Sequence, residues 1–335
     1  MAERVRWGVL GVARIATLKV IPAMQAGQWT EVAAIASRDI MKARAAAGAL
    51  HIPKAYGSYE ELLADPDIDA IYNPLPNHLH VPWTIRAAQA RKHVLCEKPI
   101  ALNADEAAGL IAVRDAAGVL IQEAFMVRTH PQWQRAKELV RSGRIGPVRS
   151  IVGVFSYFND DPTNIRNIPE WGGGGIMDIG CYLIHTARFI LDREPLRVAA
   201  AIERDPSLRV DRLASMVLDF GDAQVTGTCA TQTVPWQRVQ ILGTRGRIEI
   251  EIPFNALPDR PSRIFVDDGS DIAGAGIETM ALPAVNQYTI QADLFSRAIL
   301  DGAPAPYPLE DSIRNMRVID AVFRAAESGQ WEIPA

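Results

Sequence analysis

Cysteine is scarce in this chain. Its three cysteines, Cys96, Cys181 and Cys229, are widely separated along the 335 residues, and no two of them have CxxC spacing. Disulfide frameworks and structural zinc sites require paired or clustered cysteines. We therefore predict reduced thiols in a cytoplasmic protein, with no disulfide framework and no metal site.

Long apolar runs and concentrated positive charge are missing as well. No apolar stretch reaches the roughly 18 residues of a membrane span. The N-terminal segment enters a strand pattern almost at once and lacks the parts of a secretory signal. Lys and Arg number 35 against 39 Asp and Glu, and the two signs are interspersed. Because nucleic acids and anionic membranes select clustered basic residues, we expect neither as a partner.

The first third of the chain alternates short apolar strands with helical segments. The series starts at "RWGVLG" (residues 6–11) and closes at "VLIQEAF" (residues 119–125). Capping boxes at Ser58 and Asn103, each with a glutamate three residues on, mark two helix starts. Alternation of this kind predicts an α/β domain over residues 1–125, with a parallel sheet wrapped by helices.

After Phe125 the rhythm changes. Longer, partly alternating strands are joined by tight turns such as "GTRG" (residues 243–246), which predicts a mostly antiparallel sheet. A helix is expected over residues 175–191, and the Pro-, Gly- and Asp-rich stretch 255–285 is predicted to be irregular loop. Residues 126–335 would thus form a second, α+β domain.

The first strand-to-helix turn has the pattern of a phosphate-binding loop. In "WGVLGVARIA", Gly11, Ala13 and Ala16 occupy the places of Gly-x-Gly-x-x-Gly, the turn that holds the pyrophosphate of a dinucleotide in a Rossmann fold. The free N–H groups of the following helix would face the phosphates. Small residues at such a turn also occur for packing alone, and this alternative stays open. The residues predicted to bind the cofactor here are Gly11, Val12, Ala13, Arg14 and Ile15.

The end of the second strand bears on the choice of cofactor. NAD-binding sites commonly have an acid here for the ribose 2′-hydroxyl, whereas an arginine accommodates a 2′-phosphate. Ser37 and Arg38 supply a hydroxyl and a guanidinium, with Lys42 one helical turn further on. This favours NADP(H) over NAD(H), although Asp39 keeps NAD open and Arg38 could be an ordinary solvated side chain.

An apolar strand, residues 93–96, ends abruptly in Glu97, Lys98 and Pro99. Ligands of open parallel sheets bind outside the carboxyl ends of the strands. Pro99 restricts Lys98 to an extended backbone, and a cis bond between them is possible. Lys98 is therefore a candidate catalytic cation, with a solvent-exposed lysine as the alternative.

Four segments in order, "WGVLGVARIA", "YNPLPNHLH", "CEKP" and "GGGGIMDIGCY", resemble the Gfo/Idh/MocA oxidoreductases over essentially the whole chain. The resemblance implies a Rossmann domain followed by an α+β domain with a large, mostly antiparallel, open-faced sheet. Through that sheet the family usually forms homodimers, and we expect a homodimer or homotetramer. It also implies hydride transfer between the nicotinamide and a sugar or cyclic polyol.

The resemblance places Lys98 beside the nicotinamide and Asp178 in the catalytic site. Four residues after Asp178, where inositol dehydrogenases have histidine, this chain has Tyr182. Glucose–fructose oxidoreductase and dimeric dihydrodiol dehydrogenase share that arrangement, with tyrosine as the proton carrier. A phenol titrates near pH 10, and an adjacent ammonium favours its ionised form. We therefore expect Tyr182 to be the general acid/base, assisted by Lys98.

Further positions follow from the same resemblance. Some have sufficient structural explanations of their own, such as prolines that end a strand, a core histidine at position 185 or a flexible glycine turn at residues 172–175. The predicted substrate contacts are His185, Arg166 and Trp171. The remaining predicted cofactor contacts are Asn73, Leu75, Pro76, Asn77, His80, Glu97, Lys98, Arg128, Arg166 and Tyr288.

Two other functions are compatible with the pattern. Some members of the family are glycosidases that oxidise a sugar transiently with a bound dinucleotide. A non-catalytic, dinucleotide-sensing regulator could also use the fold, because fold alone does not fix function. The presence of both Lys98 and Tyr182 argues against the regulator, and the arginine at position 38 argues mildly against the glycosidase.

Overall fold

The computed structural model describes residues 3–335 and divides into two compact units. The first comprises the chain up to Met126 together with Asn286–Ile313. The second comprises Val127–Val285 and Arg314–Ala335.

The first unit contains a six-stranded sheet in which every neighbouring pair is parallel. The order β3-β2-β1-β4-β5-β6 is that of a dinucleotide-binding Rossmann sheet. Successive strands are added on one side of β1 up to β3 and on its other side from β4 onward, so the topological switch point lies between β1 and β4. The parallel sheet predicted from the alternation is thus confirmed. The strands are β1 (Val5–Leu10), β2 (Thr30–Ala36), β3 (Lys54–Tyr56), β4 (Ala70–Asn73), β5 (His93–Cys96) and β6 (Ile121–Glu123).

Helices connect these strands, and their starts follow local capping rules. Ser58 Oγ accepts from the N–H of Glu61 at 3.1 Å, and Asn103 Oδ1 accepts from the N–H of Glu106 at 2.9 Å, as the capping boxes predict. The helices are α1 (Ile21–Gln25, continuing a π-helical segment Ala16–Val20), α2 (Ile40–Leu50), α3 (Tyr59–Ala64), α4 (His80–Gln89, after a 3₁₀ turn Asn77–Leu79) and α5 (Ala104–Ala117).

The second unit contains an eight-stranded sheet in the order β14-β13-β12-β11-β7-β10-β9-β8. Only β7 and β10 pair in parallel, so the predicted mostly antiparallel sheet is confirmed. The elements are α6 (Pro131–Arg141), β7 (Val148–Phe158), α7 (Cys181–Leu191, continuing a π-helical segment Ile176–Gly180), β8 (Arg197–Arg204), β9 (Asp211–Asp219), β10 (Gln224–Ala230), β11 (Gln232–Gly243), β12 (Arg247–Ile250), β13 (Ser262–Asp267) and β14 (Ile277–Leu282).

The prediction of irregular loop over residues 255–285 is wrong, because this stretch supplies β13 and β14. In β13 the buried side chains of Ile264 and Val266 alternate with more exposed neighbours, as in a strand with one covered face. The prolines, glycines and aspartates that suggested a loop lie mainly in the connections around these two strands.

The C-terminal helices α8 (Gln287–Leu300) and α9 (Leu309–Ser328) complete the chain. The sequence placed all of residues 126–335 in the second domain, whereas Asn286–Ile313 belongs to the first unit. Trp7 of β1 explains the difference: its indole N–H donates to Ser296 Oγ at 3.0 Å, and its ring lies 5.8 Å from that of Phe295. Because α8 covers a core tryptophan distant in sequence, no local pattern predicts its return.

Among residues 3–335, none of the helices combines the length and apolar character that crossing a bilayer requires.

Candidate active site

The turn after β1 requires glycine at position 11. Gly11 has φ +80°, and its N–H donates to the carbonyl of Ala36 at 2.8 Å. A Cβ at this position would lie 3.0 Å from Leu75 Cδ2 and 3.5 Å from the hydroxyl oxygen of Tyr59. Residue 11 therefore has no room for a side chain. A turn of bare backbone at the switch point of the sheet is what allows a pyrophosphate to approach closely.

The four predicted residues after Gly11 lie between the turn and the first turn of the helix that leads into α1. Val12, Ala13 and Ile15 are partly buried and Arg14 is exposed. Helical backbone starts at residue 14, so the first N–H groups of this helix face the phosphate loop. The local geometry thus fits the phosphate groups of a dinucleotide.

Asp39, the acid that left NAD as an alternative cofactor, caps the helix that follows it. Its Oδ1 accepts from the N–H groups of Met41 and Lys42 at 3.0 and 3.3 Å and so caps α2. Ser37 Oγ in turn accepts from the N–H of Asp39 at 3.2 Å. Burial raises the pKa of Tyr59, and the charge of the exposed Arg38 opposes that rise. The acid therefore caps the helix, and the exposed guanidinium beside it supplies a positive charge that favours a 2′-phosphate.

Two predicted cofactor contacts, Asn73 and His80, use their side chains in contacts within the protein. The Asn73 amide donates to the His80 carbonyl at 3.1 Å, and its oxygen accepts from the N–H of Leu75 at 3.3 Å. Both His80 ring nitrogens lie against backbone carbonyls, Nδ1 at 2.7 Å from Pro99 and Nε2 at 2.6 Å from Leu75. Both side chains are buried. Their contacts with a cofactor remain predictions.

Of the same loop, Leu75 is buried, and Pro76 and Asn77 are partly exposed at the carboxyl end of β4. They lie on the side of the sheet where ligands of this fold bind. These three positions remain predicted cofactor contacts.

Glu97 and Lys98 are both partly exposed at the carboxyl end of β5, and the Lys98–Pro99 bond is cis. Glu97 Oε1 accepts from the Tyr72 hydroxyl at 2.7 Å. Burial first, and then the Glu97 carboxylate, raises the pKa of both Tyr72 and Tyr288. Glu97 is thus faced by two phenols. The sequence signal for Tyr72 was weak, because a tyrosine inside a buried strand normally indicates packing.

In the second unit, Tyr182 lies in the first turn of α7 and is 5% exposed. Its ring is 5.9 Å from that of Phe155 and 5.5 Å from that of Phe254. This aromatic packing fixes the ring and limits the access of water to its surroundings.

Asp178, one turn before Tyr182, receives two hydrogen bonds on the same oxygen. The Tyr157 hydroxyl donates to Oδ2 at 2.6 Å, and Arg166 Nε donates to it at 2.8 Å. Burial, followed by the charge of Asp178, raises the pKa of Tyr157, and the Asp178 carboxylate raises that of Arg166. Arg166 also interacts electrostatically with Tyr182. The structure therefore brings Asp178, Arg166 and Tyr182 together, and it adds Tyr157, which sequence analysis missed.

The other predicted residues of the second unit have different surroundings. His185 is 4% exposed within α7, and Trp171 is 38% exposed. The Arg128 guanidinium lies over the Phe189 ring at 5.3 Å. Their roles toward substrate or cofactor remain predictions.

The glycines before α7 allow the backbone to lie directly against the side chain of Asp211. A Cβ at Gly174, where φ is +116°, would lie 1.9 Å from Asp211 Oδ1, and one at Gly173 would lie 2.5 Å from the Arg166 carbonyl oxygen. Asp211 Oδ2 accepts from the N–H of Ile176 at 2.6 Å, at the start of the helix that carries Tyr182. The glycines thus permit a close contact within the protein itself.

Asp211 makes stability depend on pH. Burial raises the pKa of its carboxyl from about 3.8 to about 6. Between these values the folded protein holds a proton that the unfolded chain has released, so stability falls as the pH rises through this window, by roughly 3 kcal/mol in total. Asp211→Asn is expected to remove this fall, as measured by urea unfolding at pH 4.5 and 7.5. The exposed Asp160→Asn is the control, and an unchanged pH dependence in Asp211→Asn would contradict the assignment.

A Rossmann strand order, a phosphate loop closed by Gly11, and a lysine at the carboxyl edge of the sheet define a dinucleotide-dependent oxidoreductase. The chain belongs to the Gfo/Idh/MocA family: residues 5–125 match the model described as "Oxidoreductase family, NAD-binding Rossmann fold", and residues 133–249 match the GFO/IDH/MocA C-terminal domain. The predicted family and enzyme class are confirmed.

Named relatives narrow the class to sugar and polyol oxidoreductases. The chain is 50% identical over 331 residues to an uncharacterized oxidoreductase, ORF334, of Rhizobium meliloti, covering 98% of this chain and 99% of that protein. It is 40% identical to a D-xylose 1-dehydrogenase (NADP(+)) of Haloferax volcanii, covering 96% and 98%.

Solved structures agree with these relatives. A 3-ketoreductase of Actinomadura kijaniata, solved with NADP and TDP-benzene, is 30% identical with a TM-score of 0.90, covering 96% of this chain and 98% of that one. The prediction of a nicotinamide dinucleotide cofactor is confirmed, and both this structure and the xylose dehydrogenase are named with NADP.

Proposed function

We propose that this protein is an NADP-dependent dehydrogenase or reductase of a sugar or cyclic polyol, with Tyr182 as general acid/base assisted by Lys98. The observation that carries the proposal is the pair itself, a lysine after β5 and a tyrosine at the start of α7. Structures of the 3-ketoreductase include variants at a lysine and at a tyrosine with the same separation along that chain. Similar positions in two chains of one family support similar roles.

The cofactor would be held by the first unit. The Gly11 turn and the helix N–H groups behind it suit the pyrophosphate, and Ser37, Arg38 and Lys42 suit a 2′-phosphate. Leu75, Pro76 and Asn77 would line the nicotinamide side. When bound, the nicotinamide supplies hydride transfer, and the protein supplies orientation and proton transfer.

Tyr182 would take the proton of the reacting hydroxyl during oxidation and return it during reduction. A phenol is a poor base at neutral pH unless a cation favours its ionised form. Lys98 is proposed as that cation. The charge of Arg166 is balanced by Asp178, to which it donates, so Lys98 is the cation on which the proposal depends.

Asp178 would orient the substrate or the catalytic cation. Tyr157 and Arg166 both bond its Oδ2, which fixes the carboxylate in one direction. Substrate hydroxyls are proposed to meet Asp178, His185 and Trp171, since a carboxylate, an imidazole and an indole ring are common partners of sugar hydroxyls and sugar faces.

A panel of substrates tests this proposal. Purified protein is assayed at 340 nm with NADP⁺ or NAD⁺ and D-xylose, other aldoses or inositols, and with NADPH and keto sugars. We expect turnover with at least one sugar and a preference for NADP(H). Hydrolysis of an aryl glycoside without net change in cofactor absorbance would favour the glycosidase, and binding of NADPH without any turnover would favour the regulator.

The second unit also supports association of two or four chains through the uncovered face of its sheet. By strand register, Val152, Phe158, Leu213 and Trp236 share one face, and all four are exposed. Contiguous exposed apolar residues of this kind mark association surfaces. We propose a homodimer or homotetramer through this face, and light scattering of the purified protein would give twice or four times the chain mass.

A further inference from the structure

The segment that carries Lys98 is held in place immediately before the lysine. Glu97 Oε1 accepts a 2.7 Å hydrogen bond from the hydroxyl of Tyr72, which lies on the neighbouring strand β4. The other carboxylate oxygen of Glu97 accepts from the backbone N–H of Lys98 at 3.3 Å. Tyr72 is fully buried, so its hydroxyl has a fixed position from which to hold the carboxylate.

A second contact holds the segment immediately after the lysine. His80, at the start of α4, places Nδ1 2.7 Å from the carbonyl oxygen of Pro99 and Nε2 2.6 Å from that of Leu75. Burial lowers the pKa of His80 to about 4, so at neutral pH the ring carries one N–H, which donates to one of the two carbonyls while the other ring nitrogen lies against the second. The ring therefore packs between the loop after β4 and the loop after β5.

A third contact comes from the opposite neighbour, β6. The buried carboxylate of Glu123 accepts from the backbone N–H of Ile100 at 2.9 Å. Glu97, Pro99 and Ile100 are thus each bonded to a different element of the same unit, and Lys98 lies between them.

We propose that Tyr72, His80 and Glu123 are positioning residues that hold Lys98 at the geometry its role requires. This inference rests on the proposed function, because it assumes that Lys98 acts in turnover. Catalytic groups need supporting contacts that fix them to within fractions of an ångström, and a displacement of about 1 Å can lower a rate by roughly a hundredfold. Three contacts from three elements provide that support for a side chain at the end of a strand.

Two substitutions with matched controls test the proposal. Tyr72→Phe removes one hydroxyl and keeps the ring, and its control is Tyr56→Phe, which removes another 2.7 Å tyrosine–carboxylate bond, to Asp65. His80→Gln breaks the link between the two carbonyls. Its control is His93→Gln, at the other end of β5, where the ring accepts from the N–H of Leu120 at 2.9 Å.

We expect His80→Gln and Tyr72→Phe to lower kcat for the most active sugar of the panel, D-xylose being tried first, by about 10- to 100-fold. The KM for NADP⁺ should change by less than about threefold, because a displaced Lys98 affects only a small share of the proposed cofactor contacts. Both controls should retain kcat within about threefold. Equal losses of kcat in the controls and in the test variants would overturn the proposal.

A double-mutant cycle separates positioning from a general structural role. In a Lys98→Ala background, the same two substitutions are expected to leave the residual kcat unchanged, because the group they position is already gone. Losses that persist undiminished in that background overturn the proposal. Lys98→Ala with wild-type kcat overturns the proposed function itself, whereas inactive Lys98→Ala with fully active Tyr72→Phe and His80→Gln overturns the positioning role alone.

Hydrogen–deuterium exchange provides a measurement that is independent of activity. His80→Gln is expected to speed amide exchange in peptides that cover residues 97–102 and to leave α2 unchanged, because the lost contacts hold that segment locally. Unchanged exchange in residues 97–102 would contradict the positioning role of His80 even if the variant were inactive. Thermal unfolding of each variant confirms that the folded protein is being compared.

Discussion

Replacing Tyr182 with phenylalanine is expected to lower kcat by about 10² to 10⁴, the range that a general acid/base contributes. The ring that packs against Phe155 and Phe254 is retained, so the fold and the binding of NADPH should be preserved. Steady-state kinetics with the most active sugar of the panel and NADPH fluorescence titration measure the two quantities. A kcat within about threefold of the wild type would exclude Tyr182 as the proton carrier.

Lys98→Ala is expected to reduce kcat by a similar factor, and the double variant with Tyr182→Phe should lose far less than the product of the two single losses. The reason is the proposed role of the ammonium, which would favour the ionised phenol. In a plot of kcat for sugar oxidation against pH, loss of the cation should also move the rise in kcat to higher pH, because the phenol then ionises less readily. Lys98→Arg, which keeps the charge, should recover part of the activity. Multiplicative losses would indicate that the two residues act independently.

The local features of this fold could be predicted because they depend on near neighbours. The helix starts at Ser58 and Asn103 each involve a side chain and an N–H three residues away, so a short stretch of sequence contains both partners. Gly11 has a positive φ for a reason visible in its own turn. Alternation of strands and helices likewise specified the parallel sheet without any long-range information.

The contacts that determine the site were harder to predict from the sequence, because their partners are distant along the chain. Tyr72 on β4 donates to Glu97, which follows the neighbouring strand β5. Tyr157 on β7 donates to Asp178 in the π-helical segment before α7. His80 has the sequence context of a ligand-binding loop, but its ring is used to join two loops. The two carbonyls belong to loops after different strands, so no short stretch of sequence contains all the partners of this ring.

The Rossmann sheet also recruits a helix that sequence order assigns elsewhere. α8 follows the entire second sheet, yet Asp293 on it accepts from the N–H groups of Gln28 and Trp29 at 2.9 and 2.8 Å. An amphipathic helix shows which face is apolar but not which surface that face covers. Tyr288, a predicted cofactor contact, belongs to this helix, and its place beside Glu97 depends on that return.

Arg38→Ala is expected to lower kcat/KM for NADP⁺ by about 10- to 100-fold while changing that for NAD⁺ by less than about threefold. The estimate follows from the roughly 1.5–3 kcal/mol that a hydrogen bond to a charged group contributes. Asp39 is poorly placed to compensate by binding the ribose, because its Oδ1 already caps α2. The loss should be smaller at high salt, which already weakens an exposed ion pair in the wild type.

Binding provides the control for this result. The affinity for 2′,5′-ADP, measured by calorimetry, should fall in Arg38→Ala, whereas that for 5′-AMP should not, because the two compounds differ only in the 2′-phosphate. Arg44→Ala, an exposed arginine on the same helix α2, is expected to leave both affinities unchanged. If Arg38→Ala lowers both affinities equally, the guanidinium contacts the adenosine or the 5′-phosphate instead, and the preference for NADP must come from Ser37 and Lys42.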